Sequence, residues 1–281
     1  MTKLDPRRNA YRPDLADARL KGLVEAESFA AARPMQVIEP LIGVHKAPRY
    51  EAMQLTQALM GETLKVFAEN EGWAWAQLER DGYVGYVNAN ALSANVLVPT
   101  HRVAVPSTFL YPAPNLKSQP ALLLTMNAQV TVTGGDEKFA RLANGRFVFT
   151  RHLKPVDTYE TDFVAVAAMF QHVPYYWGGK SVQGLDCSGL VQLALEAAGI
   201  AALRDSDMQE ETLGARLMIN DLDGLARGDL VFWNGHAGIM MDATTLLHAN
   251  GFHMMAVAEP LQDAVARIAM SYGQVTSVRR F

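Results

Sequence analysis

The sequence contains one cysteine, Cys187, among 281 residues. A single cysteine excludes an internal disulfide and every metal site built from several cysteines. Cys187 is therefore either a small core residue or a reactive thiol, because free cysteines occur in both roles. The residues around it, and the histidines that follow it, have to decide between these two interpretations.

Long apolar runs are also missing. No run of about 18 or more apolar residues occurs, so no transmembrane helix and no membrane partner are expected. The N-terminal segment carries charges, among them Arg7 and Arg8, where a signal peptide needs an apolar stretch of about 7 to 15 residues. We therefore expect the protein to stay in the cytoplasm.

Basic clusters are absent as well. The formal net charge is −4, and no run of Lys or Arg with interleaved aromatic residues occurs. Without a basic face the chain has no electrostatic means of tracking phosphates, so we expect no nucleic-acid partner. Hydrophobic residues make up 49% of the sequence, which is enough to bury a sizeable core. Nothing in the sequence predicts an oligomeric state.

The N-terminal part of the chain changes its pattern near residue 34. Apolar positions at helical spacing from Leu15 to Ala32, with Pro34 as a stop, predict a helical arm over residues 1–34. Short β-type runs then predict one small barrel over residues 35–95 and a second over residues 96–156. These runs are Thr63–Phe67, Trp73–Leu78 and Tyr83–Val87, then Val130–Val132, Phe139–Leu142 and Arg146–Phe149.

Helix signals return in the last part of the chain, from residue 157 to residue 281. Helices are predicted at Phe163–Phe170, from Asp186 to a stop at Gly199, and at Pro260–Tyr272. Strands are predicted at Asp229–Trp233, His236–Met241, Leu246–Ala249 and Gln274–Phe281. Helices followed by a sheet indicate an α+β domain rather than a doubly wound parallel fold.

A nucleophilic thiol at Cys187 needs help from its surroundings. A free thiol is only about 3% ionised at pH 7, so its pKa has to fall by roughly 2 units, or about 3 kcal/mol. A helix N-terminus typically contributes about 0.3 to 1 kcal/mol and at most about 2. The remainder has to come from a neighbouring imidazolium, which is the Cys/His arrangement of an activated thiol.

Two histidines lie in the predicted sheet, on either side of the turn candidate Asp242-Ala243-Thr244. If a three-residue loop closes this hairpin, His236 and His248 share one face of the sheet and approach each other diagonally. His248 then accepts the second N–H of His236 and fixes its tautomer, as the third member of a catalytic triad does.

Each of these residues has a structural interpretation beside the functional one. A lone cysteine at the start of an apolar helix is often a core residue, and a histidine in a strand is often a polar residue with ordinary hydrogen-bond partners. The joint occurrence of Cys187 at a predicted helix start, flanked by Gly184 and Gly189, with two histidines on adjacent strands favours catalysis. The residues by themselves leave both interpretations open.

At these positions the sequence resembles the NlpC-type peptidases, which are papain-like cysteine peptidases that cut bacterial cell-wall peptides. The resemblance covers residues 157–281. Five segments carry it in the same order along the chain: Tyr175–Gly179, Gly184–Gly189, Gly228–Phe232, His236–Ile239 and Leu247–Ala249.

The resemblance implies a papain-like α+β domain preceded by two SH3-like barrels. It implies that Cys187 is the nucleophile, that His236 is the general base and later the acid, and that His248 orients His236. Tyr175 and the amide of Cys187 would then line the oxyanion hole. The resemblance implies neither a cofactor nor a metal ion.

The implied substrate is a murein tri- or tetrapeptide with a free N-terminal L-alanine, cut between the γ-D-glutamyl residue and the diamino acid. A buried ammonium has to be paired with carboxylates, which explains why a free amine would be required. Seven residues match positions that contact substrate in such relatives: Glu51 and Tyr86 from the first barrel, and Trp177, Asp186, Ser188, Asp205 and Ser206 from the peptidase domain.

Simpler interpretations exist for four of these seven residues. Glu51 is equally well a solvated surface charge, and the alternative interpretation of Tyr86 is a residue of the barrel. Asp186 has the position of a helix N-cap, and Ser206 is a residue type common in turns.

Two other functions compete with the peptidase. In the first, the protein binds murein peptides and its catalytic site has decayed. In the second, His236, His248 and His253 hold a metal ion for hydrolysis, although no His-Glu-x-x-His helix occurs in the sequence.

Overall fold

The computed structural model describes residues 4–218 and 222–281. The chain divides into two units, one ending at Val156 and the other running from Asp157 to Phe281. Each unit has its own sheets and its own hydrophobic core.

The first unit consists of strands joined by turns and short 3₁₀ segments, without an α-helix among its described residues. Its strands are, in chain order, β1 (Leu15–Asp17), β2 (Ser28–Ala30), β3 (Arg33–Val37), β4 (Leu41–His45), β5 (Gln54–Leu59), β6 (Thr63–Asn70), β7 (Trp73–Leu78), β8 (Val84–Asn88), β9 (Leu92–Ser93), β10 (His101–Val103), β11 (Ser107–Leu110), β12 (Leu122–Thr125), β13 (Gln129–Val130), β14 (Val132–Gly135), β15 (Phe139–Leu142), β16 (Phe147–Phe149) and β17 (Leu153–Pro155).

The helical arm predicted over residues 1–34 is wrong. Its amphipathic stretch forms β1 and β2, which pair in parallel, with a single 3₁₀ turn after β1. The carboxylate of Asp17 accepts the amide N–H of Arg19 at 2.9 Å and closes this turn. Gly22 then has a φ of 85°, which a right-handed helix does not allow. Pro34 lies inside β3 instead of ending a helix.

The first barrel prediction corresponds to a seven-stranded sheet with the strand order β5-β4-β8-β7-β6-β3-β9. Strand β6 shows why these residues form it, because Leu64 and Val66 are buried while Thr63 and Lys65 between them are partly exposed. Alternation with a period of two places one face of the strand in the core. The predicted run from Trp73 to Leu78 is β7.

The segment from residue 96 to residue 156 forms three small sheets, with the orders β13-β10-β17, β11-β12 and β14-β15-β16. Val103, Leu110 and Leu124 form a buried cluster with Leu59, the last residue of β5, and Met60, which follows it. The two halves of the first unit therefore share a core.

The described residues of the second unit form four helices, a six-stranded sheet and a short hairpin. Its elements are α1 (Phe163–Ala168), β18 (Lys180–Ser181), β19 (Gly184–Leu185), α2 (Cys187–Ala197), α3 (Ser206–Thr212), β20 (Ala215–Arg216), β21 (Leu230–Trp233), β22 (His236–Met240), β23 (Thr245–Asn250), β24 (Met255–Pro260), α4 (Leu261–Tyr272) and β25 (Ser277–Arg280). The sheet has the order β20-β25-β21-β22-β23-β24, and all its pairings are antiparallel. Among the described residues no helix is long and apolar enough to cross a bilayer.

Helix α2 carries the cysteine at its first position. Ten of its eleven residues are buried, and it packs against β22 and β23. The carboxylate of Asp186 caps its start by accepting the amide N–H of Gly189 at 2.7 Å. A Cβ atom on Gly189 would lie 2.2 Å from the carbonyl oxygen of Gly179, so this close approach requires glycine.

The hairpin of β22 and β23 closes as its turn sequence predicts. The amide of Met241 donates to the carbonyl of Thr245 at 2.8 Å, which leaves a three-residue loop over residues 242–244. The carboxylate of Asp242 accepts the amides of Thr244 and Thr245, at 2.8 Å each, and stabilises the loop. Because Ile239 pairs with Leu247, positions 236 and 248 are diagonal neighbours.

Candidate active site

The two histidines of the hairpin form a direct contact. Nε2 of His236 lies 2.7 Å from Nδ1 of His248, and both rings are buried. The diagonal approach predicted from the spacing of His236 and His248 is therefore present.

A carboxylate determines which nitrogens of these rings carry protons. Oε1 of Glu259 lies 2.6 Å from Nε2 of His248. An ionised carboxylate only accepts hydrogen bonds, so Nε2 of His248 donates and its Nδ1 accepts. Nε2 of His236 must then donate to that Nδ1. The remaining nitrogen of His236, Nδ1, is left unprotonated and can act as a base.

Glu259 is held in its ionised form. Arg267 donates to both of its carboxylate oxygens, and the contact from Nη1 to Oε2 is 2.7 Å long. Partial burial acts to raise the pKa of Glu259, but the hydrogen bonds from His248 and Arg267 lower it to about 2. Glu259 is therefore charged throughout the neutral range.

Cys187 lies at the start of α2 and is 7% exposed. The backbone N–H groups of Ala237 and Ser188 hydrogen-bond to its sulfur. Since Ala237 follows His236 on β22, the thiol is placed against the strand segment that carries the base. Helix α2 and strand β22 thus bring the two predicted partners to adjoining positions.

Burial keeps both of these groups neutral. It raises the pKa of Cys187 to about 12, with a further contribution from the charge of Asp186, and the two backbone N–H groups compensate only in part. Burial also lowers the pKa of His236 to about 3, aided by His248 and Arg267. Both shifts run against the ionised resting thiol that the sequence predicts, because burying a charge costs more than the helix end and the two N–H groups contribute.

Tyr175 lies in the segment before the hairpin of β18 and β19, and its amide donates to the carbonyl of Met254 at 2.9 Å. Burial is the main cause that raises the pKa of its phenol well above the ordinary range, and electrostatic interactions with Cys187 and Asp186 add to it. The hydroxyl therefore stays protonated and can donate a hydrogen bond. Its oxyanion role stays a prediction.

Asp186 is engaged by protein groups on both of its oxygens. Besides capping α2, it accepts the amide of Gly178 at 2.8 Å and two hydrogen bonds from Arg204, at 2.9 and 2.8 Å. Arg204 also donates to the hydroxyl of Ser188 at 2.8 Å. In the structure, Asp186 is the N-cap of α2, as the simpler interpretation predicted. Substrate contacts for Asp186 and Ser188 stay predictions.

Arg204 is a residue that the sequence did not single out. It is 1% exposed and forms a bidentate ion pair with Asp186 directly before the nucleophile candidate. One argument could have pointed to a basic residue such as Arg204: a carboxylate buried at position 186 needs a positive charge beside it.

The remaining candidates of the second unit lie near α2. Asp205 has the N-cap position of α3 without a side-chain capping bond, and Ser206 is the first, buried residue of that helix. Nε2 of Gln209 donates to the carbonyl of Ser188 at 2.9 Å and ties α3 to the start of α2. Trp177, in the loop before β18, is 59% exposed.

Glu51 and Tyr86 belong to the first unit. Glu51 is exposed in the turn between β4 and β5, and Tyr86 lies half-buried on β8. The hydroxyl of Tyr86 accepts a hydrogen bond from Nη1 of Arg12 at 2.7 Å. Tyr86, Arg12 and Trp75 line a cavity of about 240 Å³, with the guanidinium of Arg12 over the Trp75 ring. Arg12 was not anticipated from the sequence.

The proposed metal site has no counterpart among residues 4–218 and 222–281, where no group of three or more His, Cys, Asp or Glu side chains is arranged to hold a metal ion. Both ring nitrogens of His248 are occupied by hydrogen bonds to His236 and Glu259. His248 therefore has no free lone pair for the metal-hydrolase alternative.

Comparison with known families agrees with this geometry. Residues 172–271 match the NlpC/P60 family, and residues 44–92 match the bacterial dipeptidyl-peptidase Sh3 domain. The chain contains an NlpC/P60 cysteine peptidase domain. The predicted papain-like fold and the SH3-like domain before it are confirmed. The second SH3-like barrel, over residues 96–156, stays a prediction.

Three curated relatives match between a third and about two thirds of the chain. The gamma-D-glutamyl-L-lysine dipeptidyl-peptidase of Bacillus subtilis is 26% identical over 215 residues, which are 69% of this chain and 71% of the relative. The Bacillus cereus protein of the same name is 27% identical over 63% of this chain and 59% of the relative. Dipeptidyl-peptidase 6 of Lysinibacillus sphaericus is 34% identical over 92 residues, or 33% of each chain.

Solved structures show the same fold. An NlpC/P60 family protein from Bacillus cereus superimposes with a TM-score of 0.73 at 20% identity, over 88% of this chain and 99% of the other. An NlpC/P60 endopeptidase from Photobacterium damselae gives a TM-score of 0.61 at 15% identity, over 88% of this chain and 71% of the other.

Proposed function

We propose that the protein hydrolyses the bond between γ-D-glutamate and the diamino acid in murein tri- or tetrapeptides with a free N-terminal L-alanine. The observation that carries this proposal is the thiol of Cys187 placed against the strand that presents His236, a neutral base with an unprotonated Nδ1. The two Bacillus relatives are gamma-D-glutamyl-L-lysine dipeptidyl-peptidases, which supports the choice of the γ-D-glutamyl bond.

In the proposed mechanism, His236 removes the thiol proton while the sulfur of Cys187 attacks the carbonyl carbon. The C–N bond then breaks, and the imidazolium returns its proton to the departing amine of the diamino acid. Water, deprotonated by His236, attacks the thioester carbonyl; the C–S bond breaks, the imidazolium returns the proton to the sulfur, and L-Ala-D-Glu is released. The amide of Cys187 and the hydroxyl of Tyr175 stabilise the oxyanion in both steps.

The neutral resting pair fits general-base catalysis. Because both groups are uncharged before attack, no buried ion pair has to be maintained without substrate. The imidazolium forms only during the reaction, when His248 and the charge of Glu259 can stabilise it.

Recognition of the free amine is part of the proposal. Ammonium binding requires acceptors, and Asp205 and Ser206 of the peptidase unit supply oxygen atoms of the right type. Asp186 is a weaker candidate, because a substrate contact would have to replace one of the bonds that fix the start of α2.

The deciding experiment incubates the purified, reduced protein with L-Ala-γ-D-Glu-meso-diaminopimelate and follows the products by mass spectrometry. We expect L-Ala-D-Glu and diaminopimelate from the free peptide and no cleavage of its N-acetylated form. Cys187→Ala is the control that should abolish turnover. An intact peptide after incubation with the reduced wild-type protein would refute the proposal.

The raised pKa of Cys187 gives the binding-protein hypothesis a specific observation in its favour. Titration calorimetry separates the two functions. A binding protein would give saturable heat with the tripeptide and leave it uncut, whereas the peptidase would give this result only as Cys187→Ala.

The cytoplasmic location and the uptake of wall peptides as the source of substrate stay predictions. Fractionation of cells that express the protein at its natural level tests the location.

A further inference from the structure

A second residue competes with Glu259 for the ring of His248. Nδ2 of Asn250 lies 3.0 Å from Nε2 of His248. The orientation of the Asn250 amide is fixed, because its Oδ1 accepts the backbone N–H of His253 at 2.8 Å. A hydrogen-bond donor therefore faces the same ring nitrogen that faces the Glu259 carboxylate.

These two neighbours favour opposite tautomers of His248. Glu259 requires a proton on Nε2, whereas the NH₂ group of Asn250 requires a lone pair there. A hydrogen bond to an ionised acceptor is roughly twice as strong as a neutral one. Glu259 also has the shorter contact, 2.6 Å against 3.0 Å, so the carboxylate prevails.

We propose that Glu259 is a positioning residue that fixes the ring protons of both histidines, so that Nδ1 of His236 is free to receive the thiol proton. It acts through His248, and Arg267 holds its carboxylate in place. The tautomer assignment stands on geometry alone. Its kinetic consequence rests on the proposed peptidase function.

Loss of the carboxylate reverses the arrangement. Without Glu259, the NH₂ group of Asn250 turns Nε2 of His248 into an acceptor and moves the ring proton to Nδ1. That proton then points at Nε2 of His236, so the His236 proton moves to its Nδ1, where the base is needed. The wrong tautomer costs a serine protease about 10⁴-fold in kcat, which is a known reference case. We expect Glu259→Ala to lower kcat by about 10²- to 10⁴-fold in this protein.

Nitrogen-15 NMR of the histidine rings tests the assignment without any assay of activity. Signals are assigned with His236→Gln and His248→Gln. In the wild-type protein we expect His248 to be protonated on Nε2 and His236 to be unprotonated on Nδ1. A wild-type protein with His248 protonated on Nδ1 would overturn the inference even if Glu259→Ala does not fold.

The kinetic test uses a rescue that a merely structural role of Glu259 does not allow. In Glu259→Ala/Asn250→Asp, one oxygen of the new carboxylate faces Nε2 of His248 and the other keeps the His253 amide. We expect Glu259→Ala to lower kcat while its KM stays within about threefold of the wild-type value. The double variant should have a kcat at least about tenfold higher than that of Glu259→Ala. Both variants should unfold cooperatively, as followed by circular dichroism.

The matched control is Asp162→Ala, which removes another carboxylate paired with an arginine, Arg227, at 2.7 Å in the same unit. The kcat of Asp162→Ala should stay within about twofold of the wild-type value. The inference is overturned if Glu259→Ala keeps wild-type kcat, or if its loss is not recovered by Asn250→Asp. An inactive wild-type protein with the expected ring tautomers would instead refute the proposed function and leave the positioning assignment intact.

Discussion

Arg204 and Asp186 form a buried bidentate ion pair, with Nη1 to Oδ1 at 2.9 Å and Nη2 to Oδ2 at 2.8 Å. The pair lies directly before the cysteine and holds the first turn of α2. Removing one partner of such a pair leaves an uncompensated buried charge, which is far more costly than the pair is favourable.

Arg204→Met should therefore lower the free energy of unfolding by about 3 to 5 kcal/mol, measured in urea. Arg227→Met is the matched control, because the Arg227–Asp162 pair is about half exposed and should change stability by less than about 1 kcal/mol. Equal effects of the two substitutions would show that burial does not set the value of the Arg204 pair.

The stability of the peptidase unit should depend on pH through Glu259 and His248. The pKa of Glu259 is lowered from 4.5 to about 2, so its stabilising contribution is complete above about pH 4.5 and is lost as pH falls towards 2. Burial lowers the pKa of His248 below its ordinary value of 6.5. Below about pH 6.5 the unfolded chain therefore binds a proton that the folded chain does not, and the free energy of unfolding decreases as the pH falls.

Both effects have the same sign, and stability should decrease as pH falls from 7 to 3. Chemical denaturation at pH 7, 5 and 3 measures this change. In Glu259→Gln the decrease between pH 4.5 and 3 should become smaller. A free energy of unfolding that does not change over this range would contradict the prediction.

The resting thiol should behave as a neutral group. Because thiolate is the reactive form and burial raises the pKa of Cys187, the rate of iodoacetamide alkylation should be low at pH 6 and rise continuously between about pH 7 and 10. A rate that is already high and constant between pH 5 and 7 would indicate a preformed ion pair with His236 instead.

The hydroxyl of Tyr175 should matter for kcat more than for KM. Tyr175→Phe keeps the ring and removes the hydroxyl of the proposed oxyanion hole, so we expect a loss of about 10- to 10³-fold in kcat on the tripeptide. Tyr176→Phe is the matched control in the same loop and should have little effect. A Tyr175→Phe enzyme with unchanged kcat would remove the hydroxyl from the proposed oxyanion hole.

Local patterns in the sequence were sufficient for several of these features. The apolar spacing after position 187, with a residue able to cap at Asp186, predicted α2 and the place of the thiol on it. The turn at residues 242–244 and the two-residue period of strands predicted the contact of His236 with His248. Both inferences depend on neighbours within about a dozen residues, where geometry follows from spacing.

The same reasoning failed at Leu15–Ala32, where helical spacing of apolar residues coincided with two short strands. The pairing of β1 with β2 and the turn closed by Asp17 determine the structure of this segment, and neither produces a periodic pattern in the sequence. Helix α3 and strand β24 were also not anticipated from the sequence.

What the sequence determined by itself was the set of reactive groups and their order: one thiol at a helix start, then two histidines on neighbouring strands. The tertiary structure decided their protonation and their support. Arg204 reaches Asp186, and Glu259 reaches His248, only because α2, the loop before α3 and β24 pack around a buried site. The pKa of a buried group depends on desolvation and on partners distant in the chain, and the spacing of residues encodes neither.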